Sequence, residues 1–256
     1  MKISIITVSY NSASTIRDTI ESVLSQRYEN IEYIVVDGAS SDTTMAIVNE
    51  YGSKIAKVVS EPDKGIYDAM NKGISLATGD IIGILNSDDF FETDDVVGSV
   101  ASCFASSPES QLVFGDIVFV DPNDLNAVTR FYSAGHFRSW KLRFGWMPPH
   151  PATFIRAEAY KLAGPYSMLY RISADYEMFV RLLVVHKLPF ARLDHVLVRM
   201  RAGGVSTSGV RSSLRLNREI VQACRRNGIY TNLVMVLSKL PFKLVEYFKR
   251  PKGNSQ

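Results

Sequence analysis

The sequence predicts an α/β fold: a mostly parallel, Rossmann-like sheet flanked by helices, extended by a basic helical tail. Three features of its 256 residues predict it. Strand-like and helix-like segments alternate through the first half, a pattern that implies right-handed crossovers and parallel pairing. Acidic residues stand directly behind hydrophobic runs, where the carboxyl ends of parallel strands form a crevice. Charge is divided unevenly: Arg199 to Gln256 carry twelve basic and two acidic residues, a balance of +10, against −7 for the remainder.

The elements follow in order. Ile3 to Val8 is a β-branched run and the first buried strand. Ser14 can cap a helix whose Ile16, Ile20, Val23 and Leu24 recur at helical spacing. Ile31 to Val36 is the second strand, ending at Asp37-Gly38, and Ser41-Asp42 open a helix running to about Tyr51. Lys57 to Ser60 is the third strand, and Asp68 to Leu76 a helix closed by the turn Ala77-Thr78-Gly79-Asp80. The fourth strand, Ile81 to Leu85, ends at Asn86-Ser87-Asp88-Asp89. Beyond residue 110 the alternation loosens: Gln111 to Val120 is a strand or hairpin arm, with a turn at Asp121 to Asp124. Residues 131–150, rich in aromatics, glycine and proline, suit a loop region that shapes a substrate site, and Asp175 to Val185 is helical. Gly203-Gly204 marks a break, and basic helices divided at Pro241 follow.

Composition narrows the function classes. A hydrophobic fraction of 46% with 21% charged residues excludes wholesale disorder and allows a sizeable core. Cys103 and Cys224 form no CxxC pair, which excludes a disulfide framework and a cysteine-rich zinc module and suits a reducing compartment. No signal-peptide pattern opens the chain, and no run reaches the ~18 apolar residues of a membrane span, so a cytoplasmic location is expected. No GxGxxG follows the first strand, and neither a GxxxxGK[ST] P-loop nor a GxSxG elbow occurs.

The chemistry is in the acidic residues. Asp37, Asp88 and Asp89 each follow a hydrophobic strand, and a parallel sheet gathers such ends at one crevice. Convergent carboxylates repel, and a hard divalent cation relieves them; Mg²⁺ is commonly held by one or two carboxylates while it bridges diphosphate oxygens. Asp88-Asp89 would equally suit the cap of a helix beginning near Thr93.

Five ordered segments resemble a known family. They are Thr7-Val8-Ser9-Tyr10-Asn11, Val36-Asp37-Gly38-Ala39-Ser40-Ser41-Asp42-Thr43-Thr44, Ser60-Glu61-Pro62-Asp63-Lys64-Gly65-Ile66-Tyr67-Asp68-Ala69-Met70-Asn71-Lys72-Gly73, Ala77-Thr78-Gly79-Asp80 and Asn86-Ser87-Asp88-Asp89. Together they resemble the family 2 glycosyltransferases of GT-A type fold, close to bacterial enzymes of polysaccharide and glycolipid assembly in the cell envelope. The resemblance is firm over residues 3 to about 120 and weaker to about 207.

The resemblance implies a role for each matching position. Thr7, Tyr10, Asn11 and Asp37 line a nucleotide pocket, with Asp37 accepting from the base, and Asp63 and Lys64 contact nucleotide or diphosphate. Asn71 belongs to the donor site; Met70 stands where arginine commonly precedes that asparagine, leaving Lys64 or Lys72 for the diphosphate. Asp88 lies next to the ribose and Asp89 is the direct ligand of Mg²⁺ or Mn²⁺. Within Ser173-Ala174-Asp175-Tyr176-Glu177, Asp175 fills the position of the catalytic base and also suits a helix N-cap, with Glu177 as the rival base. His150, in His150-Pro151-Ala152-Thr153-Phe154, matches an acceptor-side segment or is a turn residue. Gly203-Gly204-Val205-Ser206 resembles the turn closing the catalytic domain, and the QxxRW motif of processive synthases does not occur.

The implied activity is inverting transfer of one sugar from a nucleoside-diphosphate sugar to a glycan or lipid-linked acceptor. The implied division is a catalytic domain over residues 1–207, with a nucleotide-sugar half to residue 120 and an acceptor half from 121, then a tail over 208–256. Two other readings are a sugar nucleotidyltransferase, which would need a Gly-rich basic first loop where Tyr10-Asn11-Ser12-Ala13-Ser14 stands, and a non-catalytic nucleotide-sugar-binding protein at a membrane surface. The tail, basic and apolar together, suits an amphipathic association with the inner face of an anionic membrane; helices packed on the domain, or a dimer contact, are the alternatives. No nucleic acid partner is expected.

Overall fold

The computed structural model describes residues 1–203 and 210–242. Strands β1 (Ile3–Ser9), β2 (Ile31–Asp37), β3 (Lys57–Ser60) and β4 (Ile81–Ile84) pair in parallel in the order β3-β2-β1-β4. The crossovers are α1 (Ile16–Leu24), α2 (Thr44–Glu50) and α3 (Ile66–Leu76). Every residue of β1 is buried, because helices cover both faces of a parallel sheet. On α1 the apolar spacing puts Ile16, Ile20 and Val23 inward, and the helix starts behind Thr15, one residue past the expected cap at Ser14. Gly73 lets α3 lie flat on the sheet, since a Cβ there would run into the Ile6 side chain.

Beyond β4 the sheet turns mixed. Short β5 (Asp89–Phe91), helix α4 (Val96–Ser106), long β6 (Leu112–Asp121) and β7 (Asp124–Tyr132) come next, the last two forming the expected hairpin. β8 (Thr153–Arg156), α5 (Ala157–Ala163), α6 (Ala174–Val180) and β9 (Phe190–Arg201) complete this half. β4 joins it through antiparallel pairing with β8, and the order runs on as β8-β6-β9-β5, with β6 and β9 parallel. At the seam Gly83 faces Phe154, and a Cβ on it would stand 2.6 Å from that ring. Parallel pairing thus holds through β4, and later strands return antiparallel because they lack intervening helices long enough for a crossover.

The tail packs on this body. Helices α7 (Val210–Arg226) and α8 (Leu233–Leu237) bury Ile220, Ala223, Cys224 and Val236 in the same core as Tyr176 and Phe179. Lys239 is buried with its Nζ 3.0 Å from the Gly145 carbonyl. The helices part at residues 227–232, around the left-handed Gly228, rather than at Pro241. The turn residues Gly204, Val205 and Ser206, the boundary at 207, and the tail beyond Phe242 lie outside the described residues. No described helix is long and apolar enough to cross a membrane.

Candidate active site

A cleft of about 1160 Å³ opens where β1 and β4 end, between the starts of α3 and α6. Tyr10, Asn11, Gly38 and Asp63 line one wall, Asn86, Ser87, Asp88 and Arg201 the base, and His150, Arg171 and Asp175 the other wall. Both halves of the chain therefore contribute.

Tyr10 is exposed rather than half-buried, free to stack on a planar group. Asn11 adopts a left-handed backbone (φ 49°), which its short side chain tolerates, and its Oδ1 accepts from the Ser41 amide at 2.9 Å. Asp63 accepts from the Gly65 amide at 2.7 Å and faces Gly38, where no side chain would fit.

Four expected donor-site residues do not reach the cleft. Thr7 is buried in β1 and accepts from the Tyr33 hydroxyl at 3.0 Å. Asp37 is buried, its oxygens taken by the hydroxyls of Ser9, Ser40 and Ser60 and the Ser40 amide at 2.5–3.1 Å. It fixes the loop that carries Gly38 to the cleft. Asn71 clamps the Tyr166 backbone, accepting from its amide at 2.7 Å and donating to its carbonyl at 2.9 Å. Lys64 is exposed outside the lining residues, and Lys72 turns away to Glu61 at 2.9 Å and the Pro62 carbonyl, so it is no substitute for the arginine replaced by Met70.

Adjacent Asp88 and Asp89 part company. Asp88 lines the cleft, whereas Asp89 opens β5 and is buried behind it, its Oδ2 accepting from Asn86 Nδ2 at 3.2 Å. Neither caps a helix, because α4 begins only after Asp95. Burial pushes both carboxyls up, Asp89 further because the Asp88 charge adds to it, while Arg201 opposes the shift. The Asn86 Oδ1 is buried and unpaired, an oxygen beside Asp88 that suits a hard cation. Among the described residues no three His, Cys, Asp or Glu converge into a self-sufficient metal centre.

Arg201 had no signal in the sequence. Its guanidinium donates to the Asp88 carbonyl at 2.7 Å, pairs with Asp18 and lies 5.2 Å over the Phe90 ring. It holds the Asp88 loop from a strand more than a hundred residues away.

On the far wall, Asp175 Oδ1 lies 2.8 Å from the Tyr176 amide and 3.2 Å from the Tyr67 hydroxyl, which also donates to the Ile172 carbonyl at 2.6 Å. Asp175 sits in the first turn of α6, whose cap position is Ser173. Burial pushes its carboxyl up, and His150, Tyr176 and Tyr67 pull it down. His150 is no mere turn residue: it lines the cleft, and its Nε2 lies 2.8 Å from the Tyr166 hydroxyl. Burial lowers its own titration, partly opposed by Asp175. Glu177 is the expected candidate that the geometry removes. It is buried on the opposite side of α6, held by Arg181 Nε at 3.0 Å and Asn227 Nδ2 at 3.1 Å.

Known proteins share this architecture. The family model described as Glycosyl transferase family 2 matches residues 4–158. A PGL/p-HBAD biosynthesis glycosyltransferase of Mycobacterium bovis is 32% identical over 181 residues, 70% of this chain and 68% of that protein. An uncharacterized glycosyltransferase of Mycobacterium tuberculosis is 36% identical over 186 residues, 72% of this chain and 69% of that one. Among solved structures, S. aureus TarS superposes with a TM-score of 0.66 at 18% identity over 99% of this chain, which spans 45% of TarS. The mannosyltransferase PcManGT of Pyrobaculum calidifontis, in complex with GDP-Man and Mn²⁺, superposes with a TM-score of 0.67 at 18% identity, over 96% of this chain and 73% of its own. The structural likenesses establish the GT-A fold, and the sequence matches place the chain in glycosyl transferase family 2, as a glycosyltransferase.

Proposed function

We propose that the chain moves one sugar from a nucleoside-diphosphate sugar to a hydroxyl of a glycan or lipid-linked acceptor, by direct displacement with inversion. The observation that carries this reading is that Asp88 and Asp175, from opposite halves of the fold, line one cleft. Tyr10 offers a stacking face for the base, and Asp63 hydrogen-bond acceptors at the same wall. Asp88, with the unpaired Asn86 Oδ1, would hold Mg²⁺ or Mn²⁺, which supplies charge stabilisation to a departing diphosphate. Asp89, buried behind, supports that loop instead of ligating. Asp175 takes the proton of the attacking hydroxyl, and Tyr67 and the Tyr176 amide orient its carboxylate. A nucleotidyltransferase would release pyrophosphate; this reaction releases a nucleoside diphosphate.

The test is a thermal-shift panel of UDP, GDP and dTDP sugars with and without Mn²⁺, since a specific ligand raises apparent stability. One donor class is expected to shift the intact protein, more with Mn²⁺. Asp88→Ala should lose the Mn²⁺-dependent part and Asp89→Ala should lower the ligand-free midpoint. An undiminished Mn²⁺ increment in Asp88→Ala rejects the assignment.

A membrane-surface location has its own support. Tyr230, Val234 and Phe242 are 70%, 79% and 65% exposed around α8, and Trp140, 59% exposed, lies on the turn that α8 packs against. Lys141 and Arg143 share that turn, and the tail adds the rest of its positive balance. Apolar and aromatic groups beside cations fit the interface of an anionic membrane. Binding to phosphatidylglycerol vesicles should fall with salt and with Val234→Asp, a position too exposed to unfold the protein. Truncation at residue 208 is no test, because it removes Ile220, Ala223 and Cys224 from the core. Equal binding to neutral vesicles, or concentration-dependent dimers that Val234→Asp dissolves, would reject the membrane reading.

A further inference from the structure

We propose that Glu219, on tail helix α7, is a positioning residue for Asp175: it tethers the 171–173 backbone, whose Ile172 carbonyl holds the Tyr67 hydroxyl against the Asp175 carboxylate. The inference rests on Asp175 being the base. The tether is threefold. Glu219 Oε2 accepts from the Ile172 amide at 2.9 Å and the Ser173 amide at 3.0 Å, and Oε1 from the Arg171 amide at 3.3 Å.

Ser173 stands at the cap position of α6, yet its side chain makes no cap bond and its Oγ is buried without a partner. A cap residue normally supplies its own oxygen to the first amides of its helix. Here the oxygen comes from another helix, 46 residues on. The amides just ahead of α6 are therefore satisfied only while α7 is docked.

The tether reaches the reacting group in two steps. Holding the Ile172 amide fixes the peptides on either side, and the Ile172 carbonyl takes the Tyr67 hydroxyl at 2.6 Å. That hydroxyl lies 3.2 Å from Asp175 Oδ1. Arg171 and Ile172 themselves line the cleft beside Asp175. Freed, this strand of backbone would let Tyr67 and Asp175 shift by fractions of an ångström, enough to matter for a general base. The tail is thus part of the active site's support as well as a candidate surface anchor.

The bonding pattern predicts which substitutions matter. One oxygen, Oε2, carries both short bonds, so the carbonyl of glutamine can replace it without charge. Aspartate keeps the charge but is one methylene too short. Hydrogen exchange of the full chain, read over residues 171–173, should rise about tenfold in Glu219→Ala and Glu219→Asp and stay near wild type in Glu219→Gln. With the donor that the intact protein turns over in a panel of UDP, GDP and dTDP sugars, Glu219→Asp should lower kcat roughly tenfold while donor KM changes less than about twofold; Glu219→Gln should restore kcat. Asn227→Ala, on the same helix, should leave exchange at 171–173 unchanged, which separates the tether from general loosening of α7. Unchanged exchange in Glu219→Asp, or raised exchange with normal kcat while Asp175→Asn is inactive, overturns the proposal. An active Asp175→Asn overturns the base assignment instead, and the role of Glu219 with it.

Discussion

The parallel half of the sheet and the mixed half deliver their cleft residues by different routes. From β1 to β4 each strand runs straight into a loop at the cleft, so a hydrophobic run followed by polar residues marks a site position in the sequence itself. Tyr10, Asn11, Gly38 and Asp88 all arrive this way. From β5 onward the partners are remote: Arg201 meets the Asp88 carbonyl across 113 residues, and Tyr67 meets Asp175 across 108. Parallel crossovers make the site nearly collinear with the chain, whereas antiparallel returns assemble it from distant pieces.

That difference accounts for what the sequence discloses. The four parallel strands, their helices and the location of the cleft follow from hydrophobic alternation and loop chemistry. Strand β5 did not, because three residues give no periodicity, and Asp88-Asp89 reads equally well as a cap. Even in the legible half, side-chain direction stays hidden. Nothing local says that three serines from separate loops will saturate Asp37, or that Asn71 will face Tyr166 rather than the cleft. In the mixed half Asp175 stood out only by resemblance, and Glu219 and Arg201 not at all. The tail read as an appendage because its charge is conspicuous and its buried stripe of Ile220, Ala223 and Cys224 is short.

The sharpest way to break the comparison is within α6, where two carboxylates stand two residues apart with opposite fates. Asp175→Asn should cut turnover roughly 10²-fold or more, with little change in the urea midpoint, because it keeps the shape and loses the base. Glu177→Gln should do the reverse. It leaves Arg181 buried without its counter-charge, a loss on the order of 3–5 kcal/mol, while turnover per folded molecule stays near wild type. Initial rates normalised to folded fraction, alongside urea melts, separate the two. A dead Glu177→Gln that remains folded, beside an active Asp175→Asn, would move the base to the hidden side of the helix and refute this geometry.

A smaller effect lies in the pH profile, where the mixed half tunes a group with neighbours from both halves. Asp175 must be ionised to accept a proton, so kcat should rise with pH through its titration. Burial pushes that titration above the ordinary carboxylate range, and the acidic limb should lie correspondingly high. His150, from the mixed half, favours the anion by its charge, and Tyr67, from the parallel half, favours it by donating a hydrogen bond. Removing either destabilises the ionised form, so His150→Gln and Tyr67→Phe should both move the limb to higher pH. The His150 effect should be the larger, since its charge is the leading influence against burial. Glutamine is the substitution of choice because it can still bond the Tyr166 hydroxyl that His150 holds. The limb is read from kcat at saturating donor between pH 4 and 8, with donor KM as the control that binding is intact. A limb that moves to lower pH in both variants would mean that these side chains favour the protonated acid, and that Asp175 meets the acceptor hydroxyl as a hydrogen-bond donor.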